Sequence, residues 1–506
     1  MGNRDVFIGI DIGTTSTKGI IANAAGRLLA NVQIAYPIYQ PEISYAEQDP
    51  DEIANAVWKV IKQLLSSPDA QDSKLVGIGF SSAMHSVILV DEAHQPLTRC
   101  MIWADNRSTA EAEEIRNNQG LDIYRRTGTP IHPMSPLTKL CWLSRHRPEL
   151  LTQAKKILSI KEYILYQMCG LYVVDVSIAS TTGLFNLFEM KWDAQALEVA
   201  GIRPDQLSEP VPTTQVLPLQ NVRLTVELGI PLGTPVVIGA SDGVLANLGA
   251  GAIEEDTAVI TIGTSGAVRT MCRFPRTDPQ MRSFCYALTD QHWVTGGPIN
   301  NGGIALQWFR DKFLEGKTEG LGDGISYDEM TAAAARVKAG AEGLLFLPYL
   351  TGERAPYWNA RARGLFFGAG LHHQREHFIR AVLEGVIFSA YSVFRSLSND
   401  NSEIKKLYAT GGFVQSPLWL QMTADIFGIP VHVPESPESA CLGAVMLTML
   451  ATGAIDSLED TSAMIRMTNV YHPDQENFGV YQKYQELFEQ LYNSVENHYE
   501  TLANIG

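Results

Sequence analysis

Among the 506 residues no GxxxxGK[ST] phosphate loop occurs. The one Gly-Lys-Thr run, Gly316-Lys317-Thr318, has Asp311 where the first glycine belongs, which excludes a Walker-type site. No GxGxxG follows an apolar strand and no HExxH is present, so dinucleotide and zinc-protease readings lose their basis. The six cysteines (Cys100, Cys141, Cys169, Cys272, Cys285, Cys441) form no CxxC pair and no metal-ligand spacing, as expected of buried thiols in a reducing compartment. Positive charge is short as well: 39 Lys and Arg against 55 Asp and Glu leave a net charge of −16, whose field disfavours nucleic acid and anionic membrane as partners. The N-terminus lacks a basic region followed by an apolar stretch, and the apolar segment Cys441 to Ile455 is too short and too interrupted to cross a bilayer, so it reads as a buried helix. A cytoplasmic protein is the expectation, and its length and 45% apolar content predict two large folded domains.

What is present is a hairpin with an unusual turn. Val6-Phe7-Ile8-Gly9-Ile10 is an apolar strand, Lys18-Gly19-Ile20-Ile21-Ala22 resumes the pattern, and Asp11-Ile12-Gly13-Thr14-Thr15-Ser16-Thr17 lies between them. Glycine and small hydroxyls let backbone N–H groups approach a phosphate, and Asp11 suits a hydrated Mg²⁺. An ordinary hairpin with a polar turn is the alternative. A second copy favours the phosphate reading: Ala258 to Thr270 repeats strand, Ile-Gly-Thr, hydroxyls and returning strand 250 residues later, near half the chain. Two such hairpins suit an ATP-binding protein of actin-like or sugar-kinase-like architecture, with domains 1–252 and 253–506.

Apolar spacing predicts a helix over Asp49 to Leu65, then a strand Leu75 to Phe80 broken at Ser81 to Ser86, which puts His85 at a strand end. Met101 to Arg107 reads as a strand ending in charge. Three prolines make Thr127 to Pro136 a shaped loop, with helices expected at Leu137 to Leu151 and Ser159 to Met168 and alternating strand and turn from Val173 to Leu187. Pro235 to Gly243 is a strand stopping at Asp242. In the second half, glycines at 296–303 precede a helix Ile304 to Phe313, a long helix covers Glu376 to Phe394, and the strand Lys405 to Thr410 opens into Gly411-Gly412 before a helix Pro417 to Phe427. Phosphoryl transfer needs a carboxylate beside the acceptor hydroxyl, and Asp242 is the candidate base; capping the helix that follows is its competing use.

Met134-Ser135-Pro136-Leu137-Thr138-Lys139-Leu140-Cys141-Trp142-Leu143, and the run from Gly364 through Gly370 to Glu384-Gly385, resemble the two signatures of the FGGY carbohydrate kinases, and the likeness covers nearly the whole chain. Within that family Ser81 to Ser86, Trp103 to Arg107 and Gly128 to Pro136 most resemble the members acting on gluconate; the alternatives are another acceptor such as xylulose, or an actin-like nucleotide switch. The resemblance implies two actin-like (ribonuclease H-like) α/β domains with mixed five-stranded sheets flanked by helices around a central cleft, and ATP-dependent phosphorylation of a sugar acid with Mg²⁺. A homodimer is the family habit. It further implies Asp242 as base and substrate contact, Asp11 as the metal-side carboxylate, and Thr14, Thr15, Lys18, Gly263 and Thr264 as phosphate-hairpin residues. Gly303, Gln307, Gly412 and Ser416 fall at nucleotide positions, Ser416 where some relatives have Asn. On the sugar side it nominates Met84, His85, Trp103, Asp105, Arg107 and Met134, with Lys139 nearby. Packing is the alternative for Met84 and Trp103, a satisfied strand-end histidine for His85, and a surface ion pair for Lys139. Arg107 can fork onto a substrate carboxylate or form a structural bridge to Asp105 or Asp242.

Overall fold

The structure is a computed structural model and describes residues 5–70, 73–314, 325–397, 403–436 and 438–505; Gly316-Lys317-Thr318 lies outside these. The chain forms two compact units. The first holds Met1–Ile253, Met271–Thr295 and Glu438–Ile465, the second Glu254–Thr270, Gly296–Pro437 and Arg466–Gly506.

In the first unit, β1 (Asp5–Ile12), β2 (Ser16–Asn23), β3 (Leu28–Ala35), β4 (Lys74–Ser82), β5 (Val216–Pro218) and β6 (Pro235–Ser241) make one sheet in the order β5-β6-β4-β1-β2-β3. That is six strands, one more than the resemblance implies, because the short β5 adds antiparallel to the edge of β6. The centre β6-β4-β1 is parallel and needs cover on both faces. Alternation along β1 sorts the two sides: Val6, Ile8, Ile10 and Ile12 pack with Ile53, Val57, Val60 and Ile61 of the helix Pro50–Leu65, which Asp49 caps. Phe7 faces the opposite cluster, with Leu442 and Val445 of the helix Ser439–Ala451. This helix is buried from Cys441 to Met449, and its backbone comes so close that a Cβ on Gly9 would overlap the Cys441 carbonyl oxygen.

Three expectations change here. Helix 137–151 is two helices, Pro136–His146 and Pro148–Gln153, since Pro148 cannot continue the first. Val176–Ser180 is a helix capped by Asp175 rather than a turn between strands. Gly120–Thr127 is an additional helix.

In the second sheet, β7 (Thr257–Ile262), β8 (Gly266–Cys272), β9 (Lys406–Thr410), β10 (Val431–Pro434) and β11 (Met467–Tyr471) run in the order β8-β7-β9-β10-β11, again mixed, and the strands Trp293–Ile299 and Phe284–Ala287 extend it beyond β8 to seven where the resemblance implies five. The helix Arg375–Leu397 is long and apolar enough to cross a membrane, but 89% of its most apolar window is buried and it serves as the core helix of the second unit. Glu384 on it accepts from Arg380 Nε (2.6 Å) and Tyr481 Oη (2.8 Å), which ties down the terminal helix Gln475–Ile505. The helix after the glycines spans Gly303–Phe309 and widens into a π-turn over Arg310–Leu314.

Candidate functional site

The parallel register of the first unit brings three strand ends level. Ile12 pairs with Ser82, and Ser82 with Ser241, so the turn after β1, the loop after β4 and Asp242 after β6 begin at one edge of the sheet. Ligands of open α/β sheets bind at such an edge. Asp11 Oδ1 accepts from Ser81 Oγ at 2.7 Å across the β1–β4 pair. Burial is the main influence raising its pKa, partly opposed by that bond and by Lys18. Gly13 N donates to Ser16 O, and Tyr36 Oη donates to Gly13 O at 2.6 Å, which fixes the turn. Thr14 is held twice: Trp103 Nε1 donates to its hydroxyl and Gln48 Nε2 to its carbonyl, both at 2.8 Å. Thr15 is exposed at the tip. Lys18 pairs with Glu438 at 3.0 Å; burial works against its charge, but Glu438 outweighs it and the net shift is upward.

The acceptor-side candidates come from three loops. His85 has φ 68° and its Nδ1 lies 2.9 Å from Thr181 O, so that nitrogen carries the proton. Its ring is edge-on to Tyr286 at 6.2 Å, and Met84 packs against the cluster that contains Tyr286. Arg107 uses its fork inside the protein: Nε and Nη2 donate to Asp105 at 2.8 and 2.7 Å, Nη2 also reaches Glu47, and the guanidinium lies 3.6 Å from the centre of the Tyr45 ring. Of its two structural alternatives, the bridge to Asp105 is the one formed. Lys139 makes no surface pair; it is fully buried and donates to the carbonyls of His85, Ile102 and Met134. Met134 is buried beside it.

Asp242 is the first residue of the helix Asp242–Gly249, and the N-cap position belongs to Ser241. Its Oδ1 accepts from Gly243 N at 2.6 Å. Behind it, Lys161 Nζ donates to Ala240 O at 2.9 Å and pairs with Asp175 at 2.6 Å, both side chains within 1% of complete burial. Burial lowers the Lys161 pKa and raises that of Asp175, each partner's charge opposing. Gly239-Ala240-Ser241-Asp242-Gly243 also spells the GxSxG of hydrolase elbows. Ser241 is fully buried, however, and its Oγ meets Ser177 Oγ at 3.0 Å instead of a histidine, so it is no nucleophile.

In the second unit Gly263, Thr264, Gly303, Gln307, Gly412 and Ser416 all line one cavity of about 650 Å³, a size suited to a small-molecule ligand. Gly303 N donates to Gly263 O at 2.7 Å and Ile304 N to Thr264 O at 3.1 Å, joining hairpin to helix start. A Cβ at Gly263 or Gly412 would meet nothing within 4 Å, so both glycines keep the cavity floor open. Ser416 Oγ accepts from Trp419 N as the cap of Pro417–Phe427. The 250-residue repeat holds on the leading strand and slips by one on the return: Ile12 pairs with Thr17, but Ile262 with Gly266.

Sequence reasoning missed Gln48, Tyr36, Ser81, Glu438 and Tyr286 in the first unit, and Tyr327, Asp328, Phe413 and Trp419 in the cavity. Ser81 was within reach of it, being the first residue of the recognised strand break; Glu438 and Tyr286 come from segments that return to the first unit late in the chain. Among the described residues no group of three or more His, Cys, Asp or Glu side chains could hold a metal by itself.

Residues 6–249 match the N-terminal domain, and residues 258–452 the C-terminal domain, of the FGGY family of carbohydrate kinases. The chain is 50% identical to a gluconokinase from Bacillus licheniformis and 48% to one from Bacillus subtilis, with 98% of both chains covered in each comparison. A xylulose kinase from Staphylococcus epidermidis is 31% identical over 97% of both. In structure, a gluconate kinase from Lactobacillus acidophilus superposes with a TM-score of 0.93 at 36% identity, covering 98% of this chain and 99% of that one. A ligand-bound xylulose kinase from the same organism gives 0.94 at 36%, over 98% and 100%. Two α/β units with mixed sheets flanked by helices, phosphate-type hairpins in both and both family domains matched in order leave one conclusion: the chain belongs to the FGGY family of carbohydrate kinases.

Proposed function

We propose that the protein transfers the γ-phosphoryl group of ATP to the terminal hydroxyl of gluconate, giving 6-phosphogluconate. The observation that carries the choice of acceptor is the gap in identity between full-length gluconokinases and xylulose kinases, since the solved structures resemble both kinds equally. In this reading the cavity at Gly263, Thr264, Gly303, Gln307 and Gly412 takes the nucleotide, and Thr14 and Thr15 of the first unit act as phosphate-hairpin residues. Asp242 accepts the hydroxyl proton as the oxygen attacks phosphorus. Asp11 fits a magnesium ion that remains largely hydrated: it is a single carboxylate aimed by Ser81, the pattern of sites where phosphates and water complete the shell. When bound, the ion neutralises phosphate charge; Lys18, committed to Glu438, then orients the hairpin instead of adding a second cation. Met84, His85, Trp103 and Met134 shape the acceptor side, and Arg107 orients its loop through Asp105 and Glu47. Six buried free thiols accord with a reducing, cytoplasmic setting.

Initial rates with Mg-ATP and gluconate, xylulose or glycerol provide the test. Gluconate should give the highest kcat/KM and 6-phosphogluconate as product; equal or faster turnover of xylulose would overturn the acceptor, and no polyol-dependent ATP use would overturn the proposal as a whole.

A further inference from the structure

We propose that Lys139 is a positioning residue for the acceptor, a buried ammonium that ties the three acceptor-side loops into one body. The inference rests on the acceptor site argued above. Lys139 Nζ lies 2.8 Å from His85 O, 2.6 Å from Ile102 O and 2.8 Å from Met134 O. These carbonyls belong to the loop after β4, the segment just before Trp103, and the Pro-rich loop before the helix Pro136–His146. An ammonium has three N–H donors, and all three are used, so none is left for substrate. The side chain is also 0% exposed, which removes direct contact by a second route.

The tie costs stability, because placing a charge there exposes it to the full loss of hydration. Burial pulls its pKa down to about 7, with Asp105 the strongest opposing influence, so the three-donor ammonium prevails below that pH and the variants are compared there. A methionine of similar length would fold without that cost but would take the lysine's donor from the His85 and Met134 carbonyls, leave the Ile102 carbonyl with Asp105 N alone, and leave three loops unconnected. No neutral side chain of that length offers three diverging donors. Trp103, which follows one tied carbonyl, donates to Thr14, so the same tie extends to the phosphate hairpin of this unit.

The test uses full-length Lys139→Met, with Lys139→Gln as a second variant that retains two donors. With gluconate varied, Lys139→Met should raise the acceptor KM by about tenfold or more, the loss expected for charged hydrogen bonds, while kcat and the KM for ATP change by less than about threefold. Lys139→Gln should fall between. Folded variants with an unchanged acceptor KM, or with kcat reduced only in proportion to the folded fraction, would overturn the proposal. Should neither variant fold, hydrogen exchange on the wild-type protein decides: residues 84–86, 102–105 and 132–135 should gain protection together when gluconate binds, and protection of one loop alone would overturn it. If the wild-type protein prefers another acceptor, the same measurements with that acceptor test the tie, so the two readings fail separately.

Discussion

Asp242 and Arg107 show how a side chain's partners narrow its chemistry. Ser241 holds the N-cap position without a side-chain cap bond, and Asp242 Oδ1 accepts from Gly243 N in the first turn, a bond that an asparagine side-chain oxygen can keep. Asp242→Asn should therefore fold with an unchanged denaturation midpoint and bind nucleotide, while kcat falls by at least about 10²-fold, the usual contribution of a general base; near-normal turnover would remove it from the mechanism. Arg107 calls for a different comparison. Lys in its place keeps the charge but cannot hold Asp105 and Glu47 in one plane, and Asp105 is fully buried, so Arg107→Lys should lower stability by about 1–3 kcal/mol in urea unfolding. An orienting role also predicts that the KM for a charged acceptor and that for a neutral one rise by the same factor. A rise confined to gluconate would instead mean that the fork touches the carboxylate.

At the scale of elements, the helix Ser439–Ala451 sets how closely the sheet can be covered. Gly9 lies where its backbone meets β1, and Gly9→Ala forces a methyl onto the Cys441 carbonyl; the helix or the strand must shift, costing about 1–3 kcal/mol, which a lowered midpoint in urea would register and an unchanged one would refute. This element also marks what the sequence could convey. Its burial was legible from apolar residues on all sides, and the hairpins Asp11 to Lys18 and Thr261 to Gly266 were legible because strand alternation and turn chemistry are local. The six positions of the second half that the resemblance assigns to a nucleotide, Gly263, Thr264, Gly303, Gln307, Gly412 and Ser416, line one cavity, and they sit at strand and helix ends that composition marks. By contrast, Glu438 reaching Lys18 is a contact 420 residues apart, and no periodicity reports it. The Lys139 tie is invisible for another reason: its partners are carbonyl oxygens, which every residue carries, so the sequence records the lysine and not what it holds.

Over the whole molecule, buried carboxyls in each unit link stability to pH. Glu162 in the first unit and Glu353 in the second are both raised from 4.5 to about 7, burial outweighing the hydrogen bonds they accept from Ser159 and from Asn300 and Arg354. Between about pH 4.5 and 7 the folded protein keeps protons that the unfolded chain has released. The stabilisation these groups provide is therefore complete below pH 4.5 and is lost as pH rises through 7, by up to about 3 kcal/mol each. Lys139, lowered to about 7, acts with the opposite slope and in a separate window, from about 7 to 10.5, so it does not mask the effect. Asp11, Asp175 and Glu384 are also raised, which makes the wild-type slope a sum over several groups. Differences between variants isolate the contributions. Glu162→Gln and Glu353→Gln keep an acceptor oxygen for the same backbone N–H groups but cannot ionise, so each should match the wild-type protein in urea at pH 5 and exceed it at pH 7.5. A variant that lost as much stability at pH 7.5 as at pH 5 would mean that the carboxyl is charged in the folded state and that its hydrogen bonds, not its burial, set its proton affinity.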